Sequence, residues 1–162
     1  MKTSKAKNGV VNRLGLWAVS GLLLAGVAGT GCSGTGQQPS TAGGALLYDR
    51  LGGKPAITAV VDRFVANVAA DRRINGRFAT TDIPRLKMHL VNQVCAGTGG
   101  PCTYTGRDMK TTHAGMRISE ADFNALVEDL VAALNTYKVP EKEKQELLGI
   151  LGPMKKDIVE VP

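Results

Sequence analysis

The sequence predicts an all-α protein. Apolar residues recur at helical spacing in one segment after another, and no stretch alternates apolar and polar residues as a half-buried strand would. Glycine and proline punctuate these segments, marking where each helix starts and stops. With 162 residues there is room for one domain and little else.

The N-terminal stretch, residues 1–32, does not belong to that domain. Lys2, Lys5, Lys7 and Arg13 form a basic start, with no acidic residue before Asp49. Leu14 to Ala28 is an apolar run of signal-peptide length, too short for a comfortable membrane span. It ends in Gly29-Thr30-Gly31-Cys32, which resembles a bacterial lipoprotein cleavage site, though Gly29 stands where such sites usually carry Leu or Val. The expectation is an exported, membrane-anchored lipoprotein with lipid on Cys32, facing the periplasm or cell surface. Cleavage nearby or an uncleaved anchor are the alternatives. Residues 33–45, rich in Gly, Ser, Thr and Gln, read as a flexible tether. The chain carries a formal +6, but the four basic residues just named belong to the leader, and removing them leaves +2. That balance gives no nucleic-acid footprint.

The domain is read over residues 46–160. Leu46 to Leu51 is a short opening segment stopped by Gly52-Gly53. Pro55 suits the first turn of the next helix, where Ile57, Val60, Val61, Phe64, Val65 and Val68 form the apolar stripe. Asp71-Arg72-Arg73 and Asn75-Gly76 break it and leave Phe78 on a loop or short turn. Asp82 and Pro84 open a helix carrying Leu86, Leu90 and Val94, which Gly97 to Pro101 ends. An irregular stretch is expected from there to His113. Ser119 to Asp122 is a capped start for the clearest amphipathic helix, with Phe123, Leu126, Val127, Leu130, Val131 and Leu134 on one stripe. Pro140 begins the last helix, which turns Leu147, Leu148, Leu151, Met154 and Ile158 inward and kinks at Gly152-Pro153. Three phenylalanines and no tryptophan make a light core for this domain, and a large buried cofactor would supply the missing apolar volume.

The stretch from Tyr104 to Met116 holds His113, one of two histidines, between Gly106 and Gly115. A lone histidine near an apolar face is more often a packed core residue than a ligand. The pattern Tyr-Thr-Gly-x-x-Met-Lys-x-x-His-x-Gly, however, resembles the proximal signature of group 1 truncated haemoglobins. Leu47-Tyr-Asp-Arg-Leu-Gly-Gly53, Phe64, Phe78, Arg85-Leu-Lys87, Gly99-Gly100 and Asp122-Phe123 match that family in order. The resemblance covers residues 46–160 and implies a two-over-two helical sandwich around haem b.

On this resemblance His113 is the proximal iron ligand, a neutral imidazole suited to that place. His89 lies on the face that covers the distal side in the family. Some members carry a ligating histidine there, so His89 is either a second axial ligand or an edge histidine reaching solvent or a propionate. Phe78, Leu86, Leu90, Tyr104, Met109, Ile118, Phe123 and Leu126 match positions that line the haem pocket. Arg85 and Lys110 are candidate partners for the propionates. The distal side departs from the family: Val65 stands where oxygen-holding members place tyrosine, and Leu90 where glutamine often follows the histidine. That leaves His89 and Gln93 as the donors for a polarised diatomic ligand. A few members bond a last-helix histidine to a haem vinyl, and Met154 occupies that place here.

The implied function is binding of diatomic gases such as oxygen and nitric oxide. A bis-histidine iron for electron transfer or redox sensing is the alternative within haem chemistry. Nitric oxide dioxygenation follows by analogy only, and it requires an electron donor whose identity a single chain does not reveal. Outside haem chemistry, His89, Cys95, Cys102 and His113 could form a tetrahedral zinc site, or the domain could be a cofactor-free interaction module. In an oxidising compartment Cys95 and Cys102 are candidates for a disulfide, with free thiols or a redox-responsive pair as the other readings.

Overall fold

A computed structural model describes residues 44–161. The leader, Cys32 and nearly all of the tether lie outside the described residues. Among the described residues seven α-helices and two 3-10 turns follow one another: α1 (Leu47–Arg50), α2 (Gly53–Ala70), a turn at Asn75–Phe78, α3 (Ile83–Gly97), α4 (Met109–His113), α5 (Glu120–Thr136), α6 (Glu141–Leu151), a turn at Gly152–Met154, and α7 (Lys155–Ile158). Among the described residues the only β contact is one bridge between Ser119 and Val161.

Helix α2 is the hub. Its stripe of Ile57, Val61, Phe64, Val65 and Val68 is buried, and it packs on both α3 and α5. These side chains join Ile74, Val91, Cys95, Ala125 and Ala133 in one core. A second cluster of Leu47, Leu134 and Leu147 fastens α1 and α6 to the far end of α5. Arg50 reinforces that end by pairing with both Glu143 and Glu146 on α6.

The predicted boundaries correspond to visible caps. The Asp82 carboxylate accepts the Arg85 N–H at 3.1 Å and opens α3. Ser119 and Asp122 form a reciprocal capping box at the head of α5. Such a box satisfies two orphan donors and contributes about 1 kcal/mol. Gly152-Pro153 does interrupt the last helix, with a 3-10 turn between α6 and α7.

One element differs from expectation. The approach to His113 is not wholly irregular, because residues 109–113 form α4. Asp108 caps it by accepting the Thr111 N–H at 2.8 Å, and that bond holds the Asp108 carboxyl below its ordinary range. The cap residue sits inside a polar, glycine-containing stretch with no apolar repeat, so periodicity alone does not reveal a single helical turn.

Candidate functional site

Helices α2, α3, α4, α5 and α7 together line a cavity of about 710 Å³. That is within the roughly 300–1,000 Å³ typical of cofactor and ligand sites. Its wall is mostly apolar. Phe64, Val65 and Val68 come from α2, Leu86 and Leu90 from α3, and Phe123 and Leu126 from α5. Phe78 reaches it from the first 3-10 turn, and Met154 and Ile158 close the far end.

Both histidines border this space, with different support. On α4 the His113 Nδ1 lies 2.8 Å from the Met109 carbonyl oxygen, one helical turn back. A carbonyl only accepts, so this bond places the proton on Nδ1 and leaves the Nε2 lone pair free to ligate a metal. His89 on α3 has a buried Nδ1 with no hydrogen-bond partner. Its ring meets Tyr104 edge-on, with centroids 6.2 Å apart and planes at 72°.

The Tyr104 wall is locally self-supporting. Its hydroxyl donates to the Arg107 carbonyl at 2.9 Å. Gly106 permits this, since a Cβ there would lie 2.3 Å from the phenol oxygen. Burial, and secondarily the Asp108 charge, pushes the Tyr104 phenol pKa up, so it stays a neutral donor. Upstream, a disulfide joins Cys95, fully buried at the end of α3, to Cys102. Its Cα–Cα distance of 5.7 Å tethers the Tyr104 segment to the helix that carries His89.

Arg85 borders the cavity as predicted, together with Leu86, Leu90, Tyr104, Met109, Phe123 and Leu126. Lys110 and Ile118 do not. Lys110 follows Met109 by one residue, about 100° around α4, and is exposed. Ile118 lies beyond the turn that follows His113, where its carbonyl accepts the N–H groups of Glu160 and Val161. The cation that α4's approach does contribute is Arg107, and Lys87 adds another while pairing with Asp62 at 2.9 Å. Both stand inside the quoted motifs, one residue after Gly106 and two after Arg85, and that placement was the signal available for them. Gln93 borders the cavity too, but its Nε2 donates to the Met154 sulfur at 3.2 Å.

The zinc reading does not survive. The disulfide consumes both thiolates, and among the described residues no group of three or more His, Cys, Asp or Glu is placed to hold a metal ion.

These features define a helical protein built around a large apolar cavity, with one imidazole nitrogen kept free and cations at its border. Comparison with known proteins gives the family. The profile described as bacterial-like globin matches residues 46–160. The group 1 truncated haemoglobin of Mycolicibacterium paratuberculosis is 38% identical over 114 residues, covering 70% of this chain and 84% of that protein. That of Nostoc commune is 39% identical over 109 residues, covering 67% and 92%. Among solved structures, the Fe(III) truncated haemoglobin of Tetrahymena pyriformis superposes with a TM-score of 0.68 at 30% identity, covering 71% of this chain and 98% of that one. The 2/2 haemoglobin of a Synechococcus species, solved in the cyanomet state with covalently attached haem, gives 0.67 at 30% identity, covering 71% and 98%. The chain belongs to the bacterial-like globin family, among the truncated haemoglobins, and its cofactor is haem b. The cavity's size, its apolar wall, the free Nε2 of His113 and the cations Arg85, Lys87 and Arg107 all suit that group.

Proposed function

We propose that the domain binds a diatomic gas, oxygen or nitric oxide, at a haem iron held by His113. The observation that carries this reading is the bond from His113 Nδ1 to the Met109 carbonyl, which fixes the tautomer and leaves Nε2 to the cavity. Haem b bound there would supply an iron able to take a small gas molecule as a ligand. Phe78, Phe123 and Leu126 would pack on its faces, while Arg85, Lys87 and Arg107 would meet its carboxylates.

The opposite wall governs the gas. Val65, Leu86 and Leu90 donate nothing, Gln93 is engaged by Met154, and the Tyr104 hydroxyl by Arg107. His89 is the remaining donor among the candidates, which disfavours tight oxygen storage. His89 borders the same cavity, and that placement supports a second reading, in which His89 also ligates the iron and the iron serves electron transfer or redox sensing.

The deciding experiment is the absorption spectrum of the ferric and ferrous domain beside His89→Ala. A low-spin six-coordinate spectrum that turns five-coordinate or aquo-bound in His89→Ala selects the bis-histidine reading. A high-spin spectrum unchanged by the substitution selects the open gas site. No haem band after hemin is supplied would refute both.

We also propose that the domain is exported and tethered through lipid on Cys32. The Cys95–Cys102 disulfide supports an oxidising compartment. The protein should then incorporate labelled palmitate and the Cys32→Ser variant should not, and an unlabelled parent protein would reject the lipid anchor.

A further inference from the structure

Just past His113 the chain makes a strained turn. Gly115 has φ +79° and Arg117, a non-glycine residue, φ +52°, the left-handed region that side chains disfavour. Two distant groups hold this turn. From the 3-10 turn after α2, Arg77 donates to the Met116 carbonyl at 2.8 Å and the Arg117 carbonyl at 3.4 Å, and pairs with Asp122 at 2.7 Å. From the C-terminal tail, Glu160 accepts the Gly115 N–H on Oε1 at 2.7 Å and the Arg117 N–H on Oε2 at 2.5 Å. The backbone N–H groups of Glu160 and Val161 both donate to Ile118, at 2.9 and 3.2 Å, so the tail itself is seated.

Two backbone N–H groups converging on one anion form a nest of the kind that binds free anions elsewhere. Here the chain's own carboxylate fills it. The Gly115 and Arg117 N–H bonds hold the Glu160 carboxyl below its ordinary range, with a smaller contribution from the Arg117 charge. The feature matters because α4 is a single helical turn of five residues ending at His113. A turn that short has no stability of its own, and the direction of the imidazole depends on what fixes both its ends. Asp108 fixes the first end, and the Gly115–Arg117 turn fixes the second.

We propose that Glu160 is a positioning residue for His113: the tail carboxylate locks the turn behind the ligand and so sets how firmly the imidazole holds haem iron. This rests on the reading of His113 as the proximal ligand.

The test uses the haem-loaded full chain in a His89→Ala background, comparing Glu160→Ala, Glu160→Gln and, as a control at an exposed position on the adjoining α7, Lys156→Ala. Three quantities are read: the rate of hemin transfer to excess apomyoglobin, the iron–histidine stretching band of the ferrous form by resonance Raman, and amide exchange at Gly115 and Arg117 in the haem-free protein. Glu160→Ala should lose hemin on the order of tenfold faster, shift or broaden the iron–histidine band, and lose protection at both amides. Glu160→Gln should fall between, because its amide group cannot accept from the second N–H. Lys156→Ala should match the parent. If amide protection falls while the band and the hemin rate stay at parental values, Glu160 is only a structural strap and the proposal is overturned. If His113→Ala keeps the parental spectrum, the ligand assignment itself fails and takes this inference with it.

Discussion

The two sides of the cavity are built on opposite plans. On the His113 side every degree of freedom is tied. The ring is pinned by the Met109 carbonyl, α4 is capped by Asp108, and the following turn is gripped by Arg77 and Glu160. On the His89 side the buried Nδ1 has no hydrogen-bond partner, and the ring meets Tyr104 edge-on beside the aliphatic Leu86 and Leu90. A pinned imidazole suits a ligand that must stay, and an unpinned one suits a group that can be exchanged for a small molecule. Hydrogen-bonded support is thus concentrated around His113 rather than shared.

The largest effect should come from removing the tied side altogether. His113→Gly is expected to abolish the Soret band at stoichiometric hemin, and millimolar imidazole should restore it by entering the vacated space. A variant that retains the parental band without imidazole would mean that His113 is not the anchor. Next comes the link between the sides. Cys95→Ser with Cys102→Ser should lower stability by about 2 kcal/mol, the low end for a native disulfide. For a domain of this size that is a fall of roughly 8 °C in melting temperature, measurable by circular dichroism. A larger loss of His89-dependent spectral features than of stability would show that the tether also orients α3. The smallest effect should come from the wall facing His89. Val65→Tyr adds a hydroxyl donor, and one new hydrogen bond of about 1 kcal/mol slows oxygen release about fivefold in stopped-flow. An unchanged rate would place residue 65 outside reach of the gas.

Much of this division is legible in the chain itself. The stripe from Ile57 to Val68 and the Ser119–Asp122 cap define α2 and the head of α5 through periodicity and capping, which are local rules. His113 stands out by its motif. What escapes is set by single turns and by long-range closure. Residues 109–113 are too few for periodicity to register, and Lys110, a candidate propionate partner, is exposed on that single turn. Ile118 was expected to line the haem pocket and does not border the cavity, and its carbonyl meets a tail more than forty residues away that no local rule announces. Nothing near Gly115 announces Glu160 as its partner. Gln93 looks like a free donor in the sequence and becomes an engaged one only when α7's approach brings Met154 beside it.

The Tyr104–Arg107 turn has a further consequence, for how this wall can change over generations. The tyrosine closes on a carbonyl only three residues on, and the space it occupies exists because position 106 has no side chain. The hydrogen bond and the space for it are both supplied within four consecutive residues, so the four positions behave as one transferable block. Grafting the block whole into a related scaffold should succeed where moving the tyrosine alone fails. A lineage that replaces Gly106 should be found to have surrendered Tyr104 as well.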